Sequence, residues 1–197
     1  MSTAQEAGAP PAEGRARLSA RAHVLSLSRA QRLVVLYLGA SLAIASIVRF
    51  GFSGHALVGV IFAPTLVLLT VIDLDRRLIP DAIVLPALGS ILVLQIAFHP
   101  NHTLEWVLAS LGAALFFFIP MLIYPAGMGM GDVKLAALLG AALGRSVTAA
   151  VAIALLAGGV VALFVLASEG IGARKKAIAF GPFLAAGGLL VFFLGGH

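Results

Sequence analysis

No cysteine occurs among the 197 residues, which removes disulfides, thiol nucleophiles and cysteine zinc sites together. Charge is scarce as well. Asp, Glu, Lys and Arg make up 11% of the chain, against about a quarter in an ordinary soluble domain. Acidic residues number eight. Glu6 and Glu13 lie near the N-terminus, and Asp73, Asp75, Asp81, Glu105, Asp132 and Glu169 are set into the apolar remainder. With 61% hydrophobic residues, the composition excludes a soluble globular domain and points to a polytopic membrane protein.

Apolar runs fill the chain at 33–52, 55–72, 82–98, 106–126, 133–144, 147–168 and 177–195. Most approach the ~20 residues that carry a helix across a bilayer. The expected fold is an all-α, polytopic helical bundle with seven transmembrane segments, or six if the short run 133–144 is a half-buried or tilted helix. Basic residues give the orientation. Arg15, Arg17, Arg21, Arg29 and Arg32 precede the first run, which puts the N-terminus in the cytoplasm. Counting runs from there brings Arg76, Arg77, Lys134, Arg174, Lys175 and Lys176 to the same side and leaves Arg49 and Arg145 outside. The formal charge of +5 then reflects topology and contact with anionic membrane lipid, with no reason to invoke nucleic acid. Residues 1–32 read as a disordered basic cytoplasmic tail and 33–197 as the membrane-embedded domain. The charged stretch before the first run is too long for a cleaved signal peptide.

Two acidic sites interrupt the apolar pattern. One is Asp73-Leu74-Asp75-Arg76-Arg77-Leu78-Ile79-Pro80-Asp81; the other is Gly127-Met128-Gly129-Met130-Gly131-Asp132. Carboxylates are costly at membrane depth, so acids at helix ends suggest chemistry. Two runs separate Asp73 from Asp132, so the chain crosses and returns, and both acids belong at one face. Facing carboxylates share a proton, because both ionise together only at high cost. One then activates water as a base while the other, protonated, polarises a peptide carbonyl. No Ser-His pairing offers a competing mechanism. Gly127, Gly129 and Gly131 are expected to permit positive φ and close approach of an extended substrate. On that reading Gly131→Val costs activity rather than folded protein.

Plainer readings stand beside these. Asp75, Arg76 and Arg77 make a charged cytoplasmic turn. Asp81, after Pro80, is expected to cap the third span. Asp73 and Asp132 could each be an interfacial carboxylate that snorkels or caps. Lys134 is either a snorkelling anchor or a partner that holds Asp132 ionised. His99 and His102 lack a third ligand, so a solvated loop is the better reading than a metal site. Asn101-His102-Thr103 matches a glycosylation acceptor, a pattern short enough to arise by chance. The Gly-rich string lacks the Gly-Lys-Ser/Thr ending of a phosphate loop. Gly140 and Gly144 match a small-xxx-small helix-packing pattern. A proton- or cation-coupled transporter and a non-catalytic secretion-system scaffold remain the alternatives from other classes, although no internal repeat supports the former.

The two acidic sites resemble those of the type IV prepilin peptidases, the GxGD aspartyl proteases of bacterial inner membranes. The stretch from Ile72 to Asp81, followed by Leu85-Pro86, looks like the family's first aspartate motif, and Gly127 to Leu135 like its second. Ala179-Phe180-Gly181-Pro182-Phe183-Leu184-Ala185 is similar to its C-terminal segment. The likeness covers roughly residues 55–190. GxGD alone is shared with presenilin-type proteases, so the three motifs in order carry the specificity. The resemblance implies Asp73 and Asp132 as the catalytic pair, with Gly127, Gly129, Gly131, Lys134 and Asp81 in support. It implies no cofactor and no metal. The reaction would remove the leader of a type IV prepilin, or of a type II secretion pseudopilin, after a glycine at the cytoplasmic face. Many members carry paired cysteine motifs in an N-terminal region and a methyltransferase activity; this cysteine-free chain is expected to act as a peptidase without methylation, like the short forms of Flp/Tad pili.

Overall fold

The computed structural model of the chain describes residues 27–123, 129–169 and 179–195. Most of the expected tail, at 1–26, lies outside the described residues, as do Gly127 and the basic cluster Arg174, Lys175 and Lys176. Among the described residues seven α-helices follow one another: α1 (Arg29–Phe50), α2 (Gly54–Arg76), α3 (Asp81–Phe98), α4 (Thr103–Ile123), α5 (Met130–Leu143), α6 (Val147–Glu169) and α7 (Gly181–Leu194). Short 3-10 turns at Pro100–His102 and Gly144–Ser146 lead into α4 and α6. The described residues contain no strand, so the all-α membrane bundle stands.

Polar residues set the starts of α1 and α2. Ser28 and Gln31 form a reciprocal capping box, so α1 begins at Arg29, ahead of the apolar run and inside the stretch read as tail. Ser53 caps α2 by accepting from the Ala56 N–H. α2 ends at Arg77, whose left-handed backbone (φ 53°) returns its N–H to the Asp73 carbonyl. Pro80 then fixes the turn into α3.

Five stretches are long and apolar enough to cross a membrane, with Met130–Ser168 counted as one continuous stretch and α7 shorter. The 14 residues of α5 extend about 21 Å, short of a hydrocarbon core of about 30 Å. Its surroundings explain the shortfall. Every residue from Leu135 to Leu143 is buried, and α5 packs against α3, α4 and α7. A run of this length is typical of a buried core helix. It lies inside the bundle, enclosed by its neighbours along most of its length.

Small residues make that position possible. At Gly140 a Cβ would meet the backbone of Ala109 and Ser110 in α4, so the two helices touch main chain to main chain. Two buried side chains add hydrogen bonds to α5: from α4, Ser110 Oγ donates to the Ala137 carbonyl at 2.9 Å, and from α3, Gln95 Nε2 donates to that of Ala142 at 3.2 Å. Gly144 plays a different part from its expected packing partner. It ends α5 with φ +54°, yet it also lies against Trp106 of α4, so both glycines of the small-xxx-small pattern face α4. Leu66, Leu69, Ile91, Phe117, Leu138, Leu139, Leu184 and Phe192 complete the core around α5. Outer faces are apolar and open, as at Val48, Ile123, Leu156, Phe164 and Leu194, which suits a hydrocarbon solvent.

Candidate active site

Both acidic sites sit at the end of the bundle where α5 begins. Asp73 lies in the last turn of α2 and is buried at 6% exposure, beside the fully buried Ile72. Its Oδ2 accepts the backbone N–H of Gly181 at 3.1 Å. Gly181 is the first residue of α7, with Pro182 after it, so the positive end of a helix faces the carboxylate. A Cβ at Gly181 would stand 2.6 Å from that same oxygen. Only glycine admits this approach. Arg77 is within electrostatic reach of Asp73.

Asp132 occupies the first turn of α5, three residues after the N-cap Gly129. Its N–H donates to the Gly129 carbonyl at 3.1 Å, and no side chain caps this helix start. Asp73 and Asp132 act on each other electrostatically, so two sites 59 residues apart in sequence converge.

Further contacts join the two motifs. A Cβ at Gly131 would lie 2.8 Å from that of Ile79, so the turn after Asp73 rests directly on the first turn of α5. This close fit speaks against the expectation that Gly131→Val spares folded protein. At two of the three glycines the expected positive φ is absent: Gly129 has φ −86°, and Gly131 is not among the positive-φ glycines. Their use is closeness, at Gly131, and openness, at Gly129, where a Cβ would meet nothing nearer than 3.8 Å.

Asp81 and Lys134 also depart from expectation. Pro80, not Asp81, is the N-cap of α3, and no side chain caps that end. Asp81 Oδ1 instead accepts from Lys134 Nζ. Lys134 thus pairs with Asp81 and not with Asp132. Asp75 turns away from the acidic pair: its carboxylate takes Gln31 Nε2 at 3.2 Å and faces Arg76. The sequence reading missed Gly181 as a site residue, although Phe180-Gly181-Pro182 lay in the third motif.

A second charged cluster sits at the far end of α5. Arg145 Nε donates to Glu105 at 3.1 Å, and His102 faces the other oxygen of that carboxylate. The His99 ring packs beside His55 and Trp106. Among the described residues no three His, Asp or Glu converge as metal ligands would. An apolar groove of about 780 Å³ between α4 and α6, lined by residues including Leu108, Phe116, Val151 and Leu155, lies toward this end and holds none of the expected site residues.

Residues 60–166 match the Type IV leader peptidase family. A prepilin leader peptidase/N-methyltransferase of Xanthomonas campestris pv. campestris is 34% identical over 165 residues, covering 78% of this chain and 55% of its own. One from Burkholderia pseudomallei (strain 1026b) is 33% identical over 169 residues, 83% of this chain and 54% of its own. One from Bacillus subtilis is 31% identical over 154 residues, 75% and 60% respectively. The chain spans about half the length of the curated relatives it matches. No solved structure matches it. Family match and relatives together cover both acidic motifs, and the chain belongs to the type IV leader peptidase family.

Proposed function

We propose that the chain is a membrane aspartic endopeptidase that removes the leader of type IV prepilins or pseudopilins. Cleavage takes place at the cytoplasmic face of the bacterial inner membrane, with the N-terminus on that side, and Asp73 and Asp132 form the catalytic pair. The observation that carries this reading is the convergence of the two acids at one end of the bundle, beside the exposed Gly129. Substrate in extended form would lie along that open edge.

The roles follow from hydrogen bonding. Two carboxylates this near hold one proton between them. Asp73 Oδ2 is already an acceptor, filled by the Gly181 N–H, so the proton is better placed on Asp132. Asp73 then takes a proton from water as the hydroxyl attacks the scissile carbonyl carbon. Asp132 donates its hydrogen bond to the carbonyl oxygen where negative charge develops. Collapse of the tetrahedral intermediate breaks the C–N bond, and the leaving amine takes up a proton from the pair. No cofactor enters these steps. The peptidase alone is proposed, since the matched family is named for leader cleavage.

Reconstituting the purified chain in lipid with a type IV prepilin tests this reading. Mass spectrometry should find a released leader and a pilin shortened at a single bond after a glycine. An intact substrate after long incubation would remove the assignment.

A further inference from the structure

We infer that Asp81 and Lys134 are positioning residues, an ionic clamp that fixes the separation of Asp73 and Asp132. The pair joins the same two segments that carry the acids. Lys134 lies two residues beyond Asp132 on α5, and Asp81 opens α3 directly after the turn that leaves Asp73. Both connections are stiff. On one side Asp132 and Lys134 share a helix. On the other, the left-handed Arg77 and the ring of Pro80 restrict the turn. The Lys134–Asp81 bond therefore closes a short loop of structure around the acidic pair, with Ile79 against Gly131 as its second point of contact.

Stability is a poor explanation for these two charges. The Lys134 side chain is 25% and that of Asp81 59% exposed, and an ion pair this open to water contributes little to folding. Neither has the geometry of the other expected roles: Asp81 caps nothing, and Lys134 bonds to Asp81 rather than Asp132. What the pair does achieve is a fixed register between α3 and α5. Catalysis is sensitive to this, because a shift of about 1 Å between reacting groups costs roughly a hundredfold in rate.

The test has two arms, and only the second rests on the peptidase reading. The chain has no cysteine, so Leu74→Cys and Met130→Cys place two spin labels cleanly, at sites exposed in the parent. In lipid nanodiscs, pulsed EPR should give one narrow distance distribution for this otherwise unaltered protein. Asp81→Asn, which is isosteric, and Lys134→Met should each broaden it. The exchanged pair, Asp81→Lys with Lys134→Asp, should narrow it again. In the unlabelled protein, each single variant should lower kcat for leader cleavage about tenfold to a hundredfold with KM nearly unchanged, and the exchange should recover most of the loss. Thermal stability in detergent should barely move in any of them. A distribution that stays narrow in both single variants, or an exchange no better than either, overturns the clamp. Absence of cleavage by the parent chain would instead overturn the peptidase reading, while the distances still decide the clamp.

Discussion

The backbone N–H of Gly181 donates to Asp73 Oδ2 at 3.1 Å, and the two residues stand 108 positions apart. α7 is thus part of the acidic site, since its first residue orients one of the two carboxylates. Gly181→Ala would put a methyl 2.6 Å from that oxygen and turn the carboxylate away from Asp132. We expect kcat to fall about a hundredfold, with the helices still formed by circular dichroism. Normal turnover by this variant would mean that the contact with α7 has no part in the reaction.

Gly131→Val should damage folding as well as activity. The new side chain would press on the buried Ile79, whose Cβ already lies within 2.8 Å of the position a Cβ would take. Overpacking of this kind costs about 1–3 kcal/mol. Detergent melting should show a drop, and a thermal midpoint equal to the parent's would mean that the contact with Ile79 adds nothing to folding.

At the core contact, Gly140→Ala and Ser110→Ala make a graded pair. The first drives a methyl into the main chain of Ala109 and Ser110, which cannot move aside as a side chain can, so a loss of about 2 kcal/mol or more is expected. The second removes one hydrogen bond to the Ala137 carbonyl, worth about 0.6 kcal/mol between membrane helices. Melting of both variants checks the order; equal losses would contradict the main-chain contact.

Much of this arrangement is legible in the sequence. Seven apolar runs become seven helices, and two runs between the acidic sites are enough to return both to one end. Partners were harder to read. Hydropathy treats lipid and protein as one solvent, because acyl chains are as apolar as leucine. Only its length set the run at 133–144 apart from that at 147–168, and hydropathy did not say that α5 is enclosed while α6 presents Leu156, Leu163 and Phe164 outward. Lys134 illustrates the same limit. Asp132 is its neighbour in sequence, yet its partner is Asp81, 53 residues away, and that choice depends on how α3 lies along α5. Gly181 stood in a motif noticed for its resemblance, but no local pattern says that its N–H will meet an acid.

Substitution of the two acids tests the central claim most directly. Asp73→Asn and Asp132→Asn keep the size of each side chain and remove the ionisable group. Each should lower prepilin cleavage by the reconstituted protein by about 10²–10⁴-fold, and the double variant should be little worse than either, since the pair works as one unit. Insertion and melting should remain close to those of the parent. Cleavage at the parental rate by either single variant would contradict the account.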